Sequence, residues 1–145
     1  MTMTSGIADE LLERKGQANV PSTTAVGQAK RTAAATGRVL LAALFVVAGV
    51  MKLAAVEFEV SAFEHFGYAP WFMHVIGGIE LAGGLMLLAP SLAALGALAM
   101  MPVMVGAALS HLFAGDPVVT VVPPTVALVL LGWLAYARRS DITEG

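Results

Sequence analysis

Of the chain's 8 Lys and Arg and 10 Asp and Glu residues, Lys52 and Glu80 alone fall inside long apolar stretches. An ammonium group and a carboxylate in such surroundings have two uses: they clamp helices together as an ion pair, or they hold and release a proton. Glu80 stands nine positions after Trp71, about 13 Å along a helix from that end. An acidic residue at mid-span costs about 2.5–3.5 kcal/mol to insert, so Glu80 is expected to face a bundle interior and find a partner, or to carry a proton. Gly77, Glu80 and Gly84 share one helical face, a small-residue strip that lets a neighbouring helix come close. Lys52 is the natural partner. It shares a face with Phe45 and Gly49 and lies about 6 Å from the end of its own stretch, a difference in depth that two long side chains close. The alternative for Lys52 is to snorkel to the interface.

His74 and His111 each lie near the ends of two antiparallel stretches and are expected at a common depth, where two imidazoles become candidate haem or metal ligands. Their spacing matches no ligation signature, and helix-end histidines more often bond backbone or water, so no metal site is predicted. His65 is expected in a solvated loop. Asp116-Pro117 reads as a turn, with Asp116 capping the next helix. Met100, Met101 and Met104 flank Pro102 and read as adaptable packing, not as metal ligands.

The elements that position these residues follow from composition. A mean hydropathy of +0.82 with 58% hydrophobic residues excludes an ordinary soluble domain and predicts an all-α, polytopic bundle of four transmembrane helices. The spans are expected at about 39–56, 71–89, 91–113 and 118–137. A polar leader without order occupies 1–37, the membrane domain 38–139 and a short tail 140–145. Pro90-Ser91 supplies the tight turn between spans two and three, with Ser91 capping the third. Pro102 bends span three, and Pro123-Pro124 either starts or bends span four.

Arg14, Lys15, Lys30, Arg31, Arg38, Arg138 and Arg139 mark the cytoplasmic side, which puts both termini in the cytoplasm and the protein in the plasma membrane. A net charge of −2 leaves no basic surface for nucleic acid, and the absence of cysteine excludes disulfides, thiolate metal sites and CxxC redox chemistry. Phe58, Phe63, Phe66, Tyr68, Trp71 and Phe72 cluster at the predicted outer boundary. They read either as an interfacial aromatic belt or as a stacking cleft for a flat ligand such as a quinone headgroup.

Gly49-x-x-Lys52, Gly67-Tyr68-Ala69-Pro70-Trp71, Gly77-x-x-Glu80-x-x-Gly83-Gly84 with the Leu-rich run to Pro90, and Gly106-Ala107 with His111-Leu112 together resemble the DoxX-like family of small four-helix membrane proteins. The resemblance covers about residues 37–137. It implies that the family's Lys and Glu positions fall on Lys52 and Glu80, and its glycine pair on Gly83 and Gly84. Tyr-Ala-Pro stands where many members have Gly-Tyr-Pro, one residue longer. Some relatives are similar to subunits of quinone-linked oxidases, and others are associated with redox homeostasis or act as membrane partners. The expectation is therefore a non-catalytic membrane subunit or partner protein with a buried Lys–Glu pair. It would meet the lipid bilayer and a membrane protein or a second copy of itself, with no cofactor. The alternative is a quinone-reactive or proton-relaying oxidoreductase component, with Glu80 as proton acceptor, Lys52 tuning it and His74 or His111 near the headgroup.

Overall fold

The computed structural model describes Glu10 and residues 23–138. The expected tail and most of the expected leader lie outside the described residues. Five helices follow one another: α1 (Thr23–Leu53), α2 (Glu57–His65), α3 (Pro70–Leu88), α4 (Ala93–Ala114) and α5 (Val118–Ala137), with a 3₁₀ turn at Pro90–Leu92 before α4. There is no strand among the described residues. The chain divides into two compact units, residues 1–36 and 37–145.

In the first unit, residues 23–36 are helical, where the polarity of the leader predicts no order. Ala25, Ala29 and Ala33 to Ala35 favour the helix, and Thr32 satisfies its hydroxyl by donating to the carbonyl of Gln28 at 3.0 Å.

The helix α1 from Thr24 to Leu53, α3, the 3₁₀ turn with α4, and α5 are each long and apolar enough to cross a membrane. Within the second unit these helices share one core. Leu41, Ala42 and Phe45 of α1 meet Leu87 of α3, Ala97, Met100 and Met104 of α4, and Leu131, Leu134 and Ala135 of α5. Leu40, Leu44, Val47, Val129 and Trp133 face outward instead. Apolar side chains on both the inner and outer faces of a helix are what lipid as solvent permits, and they explain the uninterrupted hydropathy of the sequence.

Glycine sets how closely the helices approach. A Cβ on Gly49 would lie 2.6 Å from the Leu81 amide nitrogen and 2.7 Å from the Gly77 carbonyl oxygen, so α1 and α3 touch backbone to backbone. The neighbouring glycines of α3 divide the work: Gly84 faces Val46 and Ala42 of α1, whereas Gly83 faces Met100 of α4. At the far end of this seam, the Arg38 guanidinium donates to the carbonyls of Leu87 at 2.9 Å and Leu88 at 3.1 Å, capping the C-terminus of α3 with a cation.

Four local expectations change. Span one ends at Leu53, three residues early, because Ala55 takes a left-handed φ of 48° and turns the chain into α2. The segment expected as a loop around His65 is the helix α2. Ser91 sits in a 3₁₀ turn and makes no cap hydrogen bond, since Pro90 already starts that turn. α5 begins at Val118 and runs through Pro123 and Pro124, with Pro117 at its N-cap position and no side-chain cap, so Asp116 is free for another role.

Candidate functional site

Lys52 occupies the last turn of α1, and its ammonium group reaches two carboxylates. Nζ lies 2.9 Å from Glu80 Oε2 and 3.2 Å from Glu59 Oε2. The Glu80 side chain is 4% exposed, and those of Lys52 and Glu59 are each 11% exposed, so the whole cluster is withdrawn from solvent. Glu80 Oε2 meets no polar partner beyond the Lys52 ammonium at 2.9 Å. One cation between two carboxylates leaves a formal excess of one negative charge in a low-dielectric setting.

The sequence brings Lys52 and Glu80 forward, and the structure puts them in contact. Glu59 is the third member and was not anticipated. Its signal is periodic: Glu59, Ala62, Phe63 and Phe66 recur at i, i+3, i+4 and i+7, and all four line one cavity.

That cavity, of about 440 Å³, lies between α2, α3 and α4. Lys52, Glu59 and Glu80 form one part of its wall, Phe63, Tyr68 and Phe72 another, and Gly106, Ser110 and His111 of α4 a third. The aromatic cluster of the sequence thus separates into two sets. Trp71, 67% exposed, faces outward as a belt would, whereas Phe58, 73% exposed, sits at the rim of the cavity. The rings of Tyr68, itself 39% exposed, and Phe72 pack against each other along the cavity wall with centroids 5.1 Å apart, and Phe63 lies 5.9 Å from Tyr68. Pro102 also lines the cavity from within α4, and a Cβ on Gly106 would meet nothing within 4 Å.

Two left-handed glycines aim the polar groups at the α2 end of the bundle. Gly67, at φ 74°, turns the chain so that the Tyr68 amide donates to the Phe63 carbonyl at 2.9 Å. The Ser110 hydroxyl donates to the Gly106 carbonyl at 2.8 Å, which leaves its oxygen to accept from the Tyr68 hydroxyl at 2.8 Å. Gly115, at φ 73°, ends α4 and brings the Asp116 amide to the His111 carbonyl at 3.1 Å. The Asp116 carboxylate then receives Nδ1–H of His111 at 2.7 Å and Nε2–H of His65 at 2.8 Å.

His65, expected to be simply solvated, and Asp116, expected to cap α5, are therefore partners across 51 residues. His74 and His111 are engaged separately: Nδ1–H of His74 donates to the Pro70 carbonyl at 3.0 Å. Among the described residues, no three His, Asp or Glu side chains are grouped to hold a metal ion.

Asp116 is held below the ordinary carboxylate range, first by the hydrogen bond from His111 and then by that from His65, against a smaller opposing effect of burial. A lowered folded value means that Asp116 adds stability above its ordinary value of 3.8, and that this stability is lost as pH falls through the folded value. Acid melts from about pH 5 to about pH 2 should therefore show the wild type losing more thermal stability than Asp116→Asn. Parallel curves would mean that the two hydrogen bonds add nothing.

A family model described as the DoxX-like family matches residues 36–134. Among curated proteins, the uncharacterized protein YdgD of Bacillus subtilis (strain 168) is 33% identical over 98 residues, covering 64% of this chain and 86% of that relative. No solved structure matches the chain.

Proposed function

The chain belongs to the DoxX-like family, and from that premise we propose that its four-helix bundle is the quinone-binding, proton-handling component of a membrane oxidoreductase. Its termini lie on the cytoplasmic side of the plasma membrane, and electrons come from a partner subunit. The observation that carries this reading is the position of the ion cluster: Lys52, Glu59 and Glu80, besides joining their helices, line a cavity of about 440 Å³. Ligand pockets typically enclose about 300–1,000 Å³, walled by apolar and aromatic groups with a few fixed polar atoms.

A flat ring with carbonyl oxygens suits these walls. Phe63, Tyr68 and Phe72 offer aromatic surfaces, and the Lys52 ammonium offers a donor to a carbonyl oxygen. The Glu80 carboxylate beside that donor is the group that takes up a proton, within walls that are largely apolar. When bound, a quinone supplies two-electron, two-proton chemistry, and the chain's own task is to orient it and manage protons.

A second reading is favoured by a different observation. Lys52 ties α1 to both α2 and α3 through its two carboxylates, which fits a non-catalytic subunit that the cluster merely holds together. Full-length protein in lipid nanodiscs, titrated with decylubiquinone and followed by Trp and Tyr fluorescence, separates the two. Gly106→Leu, which fills the cavity from open space, should weaken saturable binding at least about tenfold with the thermal melt unchanged, since a lost buried contact surface of that size is worth about 1.5–3 kcal/mol. Glu80→Gln should still accumulate and bind but lose redox-linked proton uptake in membranes. Unsaturable quenching equal in wild type and Gly106→Leu would sink the quinone reading. Loss of assembly in Glu80→Gln without a redox defect would favour the clamp.

A further inference from the structure

We propose that His65, Asp116 and His111 form a proton-exchange couple between the cavity and water at the α2 end of the bundle, with His111 as the group that meets the bound ring. The proposal rests on the reading of the cavity as a quinone-type site. It adds the residues through which that site exchanges protons with solvent.

Asp116 is the pivot. An ionised carboxylate only accepts hydrogen bonds, so the 2.7 Å contact fixes the proton of His111 on Nδ1 and leaves Nε2 as a lone pair in the neutral ring. Nε2 has no protein partner among the described residues, and the His111 ring forms part of the cavity wall. Phe66 holds that ring edge-on, with centroids 4.9 Å apart and planes at 90°. The other oxygen of the same carboxylate takes Nε2–H of His65, whose side chain is 54% exposed against 26% for His111. One histidine therefore meets the cavity and the other meets water.

The charge balance follows from the shared carboxylate. Asp116 has one negative charge and two imidazole partners, so it neutralises one imidazolium at a time. A quinone carbonyl accepts a hydrogen bond and favours His111 with a proton on Nε2. In the couple as proposed, the more exposed His65 carries the imidazolium while the cavity is empty; as His111 takes a proton from solvent on Nε2, His65 releases its Nδ1 proton to water and keeps Nε2–H on Asp116. A quinol hydroxyl donates instead, favours the lone pair on Nε2, and reverses both changes. One proton enters at one imidazole as one leaves at the other. The other titratable groups around the couple are Lys52 of α1, Glu59 and Glu64 of α2, Tyr68 before α3, and Glu80 of α3. In α5 only Tyr136 titrates, near the opposite end.

Nitrogen-15 spectra of the imidazoles in full-length protein in nanodiscs test this directly. Added decylubiquinone should protonate Nε2 of His111 and deprotonate Nδ1 of His65 together, leaving His74 unchanged. Asp116→Asn should abolish the His65 response. His65→Gln keeps a donor to Asp116 but cannot release a proton, so calorimetry in buffers of different ionisation heat should show net uptake of about one proton per quinone where the wild type shows almost none. Quinone binding that leaves His111 or His65 unmoved overturns the couple alone. Absence of binding to the wild type overturns the cavity reading and the couple together.

Discussion

Lys52→Met is expected to destabilise the bundle by about 3–5 kcal/mol, the range seen when one partner of a buried ion pair is removed and the other charge is left behind. Here two charges are left, because Glu59 and Glu80 both face the lost ammonium. The strength of the prediction lies in its reversal. Adding Glu59→Gln and Glu80→Gln to Lys52→Met removes the stranded charges, and the triple variant should recover most of the loss, since an uncharged cluster of similar volume needs no cation. Unfolding in mixed micelles, followed by helical circular dichroism, reads both effects. A swapped pair, Lys52→Glu with Glu80→Lys, should outperform either single change, and the excess measures direct coupling. If Lys52→Met melts like the wild type, Lys52 is a snorkelling lysine, and its placement beside two carboxylates has no energetic meaning.

This cluster also shows where sequence was informative and where it was not. Lys52 and Glu80 stand out because a charge inside an apolar run is costly, so it is kept only where a partner or a function compensates it. Glu59 carries the same charge but sits in EFEVSAFEH, where acids are unremarkable and the segment is too short to read as a span. Only its placement under Lys52 makes it part of the site. That placement depends on Ala55 turning left-handed, which no residue type at that position announces.

The four spans were legible for the opposite reason. Lipid removes the need for a polar outer face, so each crossing appears as an unbroken apolar stretch, whatever its packing partner. The Asp116 array was hidden by distance and by a competing local explanation. Gly-Asp-Pro is a sufficient turn signal by itself, and nothing in a local pattern connects it with a histidine 51 residues earlier. Trp71, which faces outward, and Phe72 beside it, which lines the cavity, differ in helical phase, which a count of aromatic residues does not register.

A matched pair of glycine substitutions separates the packing seam from the cavity. Gly49→Ala places a methyl group 2.6 Å from the Leu81 nitrogen and 2.7 Å from the Gly77 oxygen, and backbone atoms of a packed helix have no rotamer by which to give way. α1 and α3 must part, at an overpacking cost of about 1–3 kcal/mol that the better helix propensity of alanine, worth up to about 1 kcal/mol, offsets only in part. Gly106→Ala has the same propensity gain and meets nothing within 4 Å, so it should be neutral or stabilise by up to about 1 kcal/mol. The two changes are chemically identical, and their difference isolates helix contact. Their consequences for the site should differ as well. Lys52 lies one turn beyond Gly49 on the same face, and its Cβ is itself 2.7 Å from where a Cβ of Gly77 would sit, so parting the seam draws the ammonium away from Glu80. Gly49→Ala should therefore weaken decylubiquinone binding from outside the cavity, and Gly106→Ala should leave binding nearly intact. Equal melting shifts for the two variants would falsify the seam. A melting loss in Gly49→Ala with undiminished binding would show that Lys52 keeps its carboxylates without the seam, and that its anchor lies in α2 through Glu59.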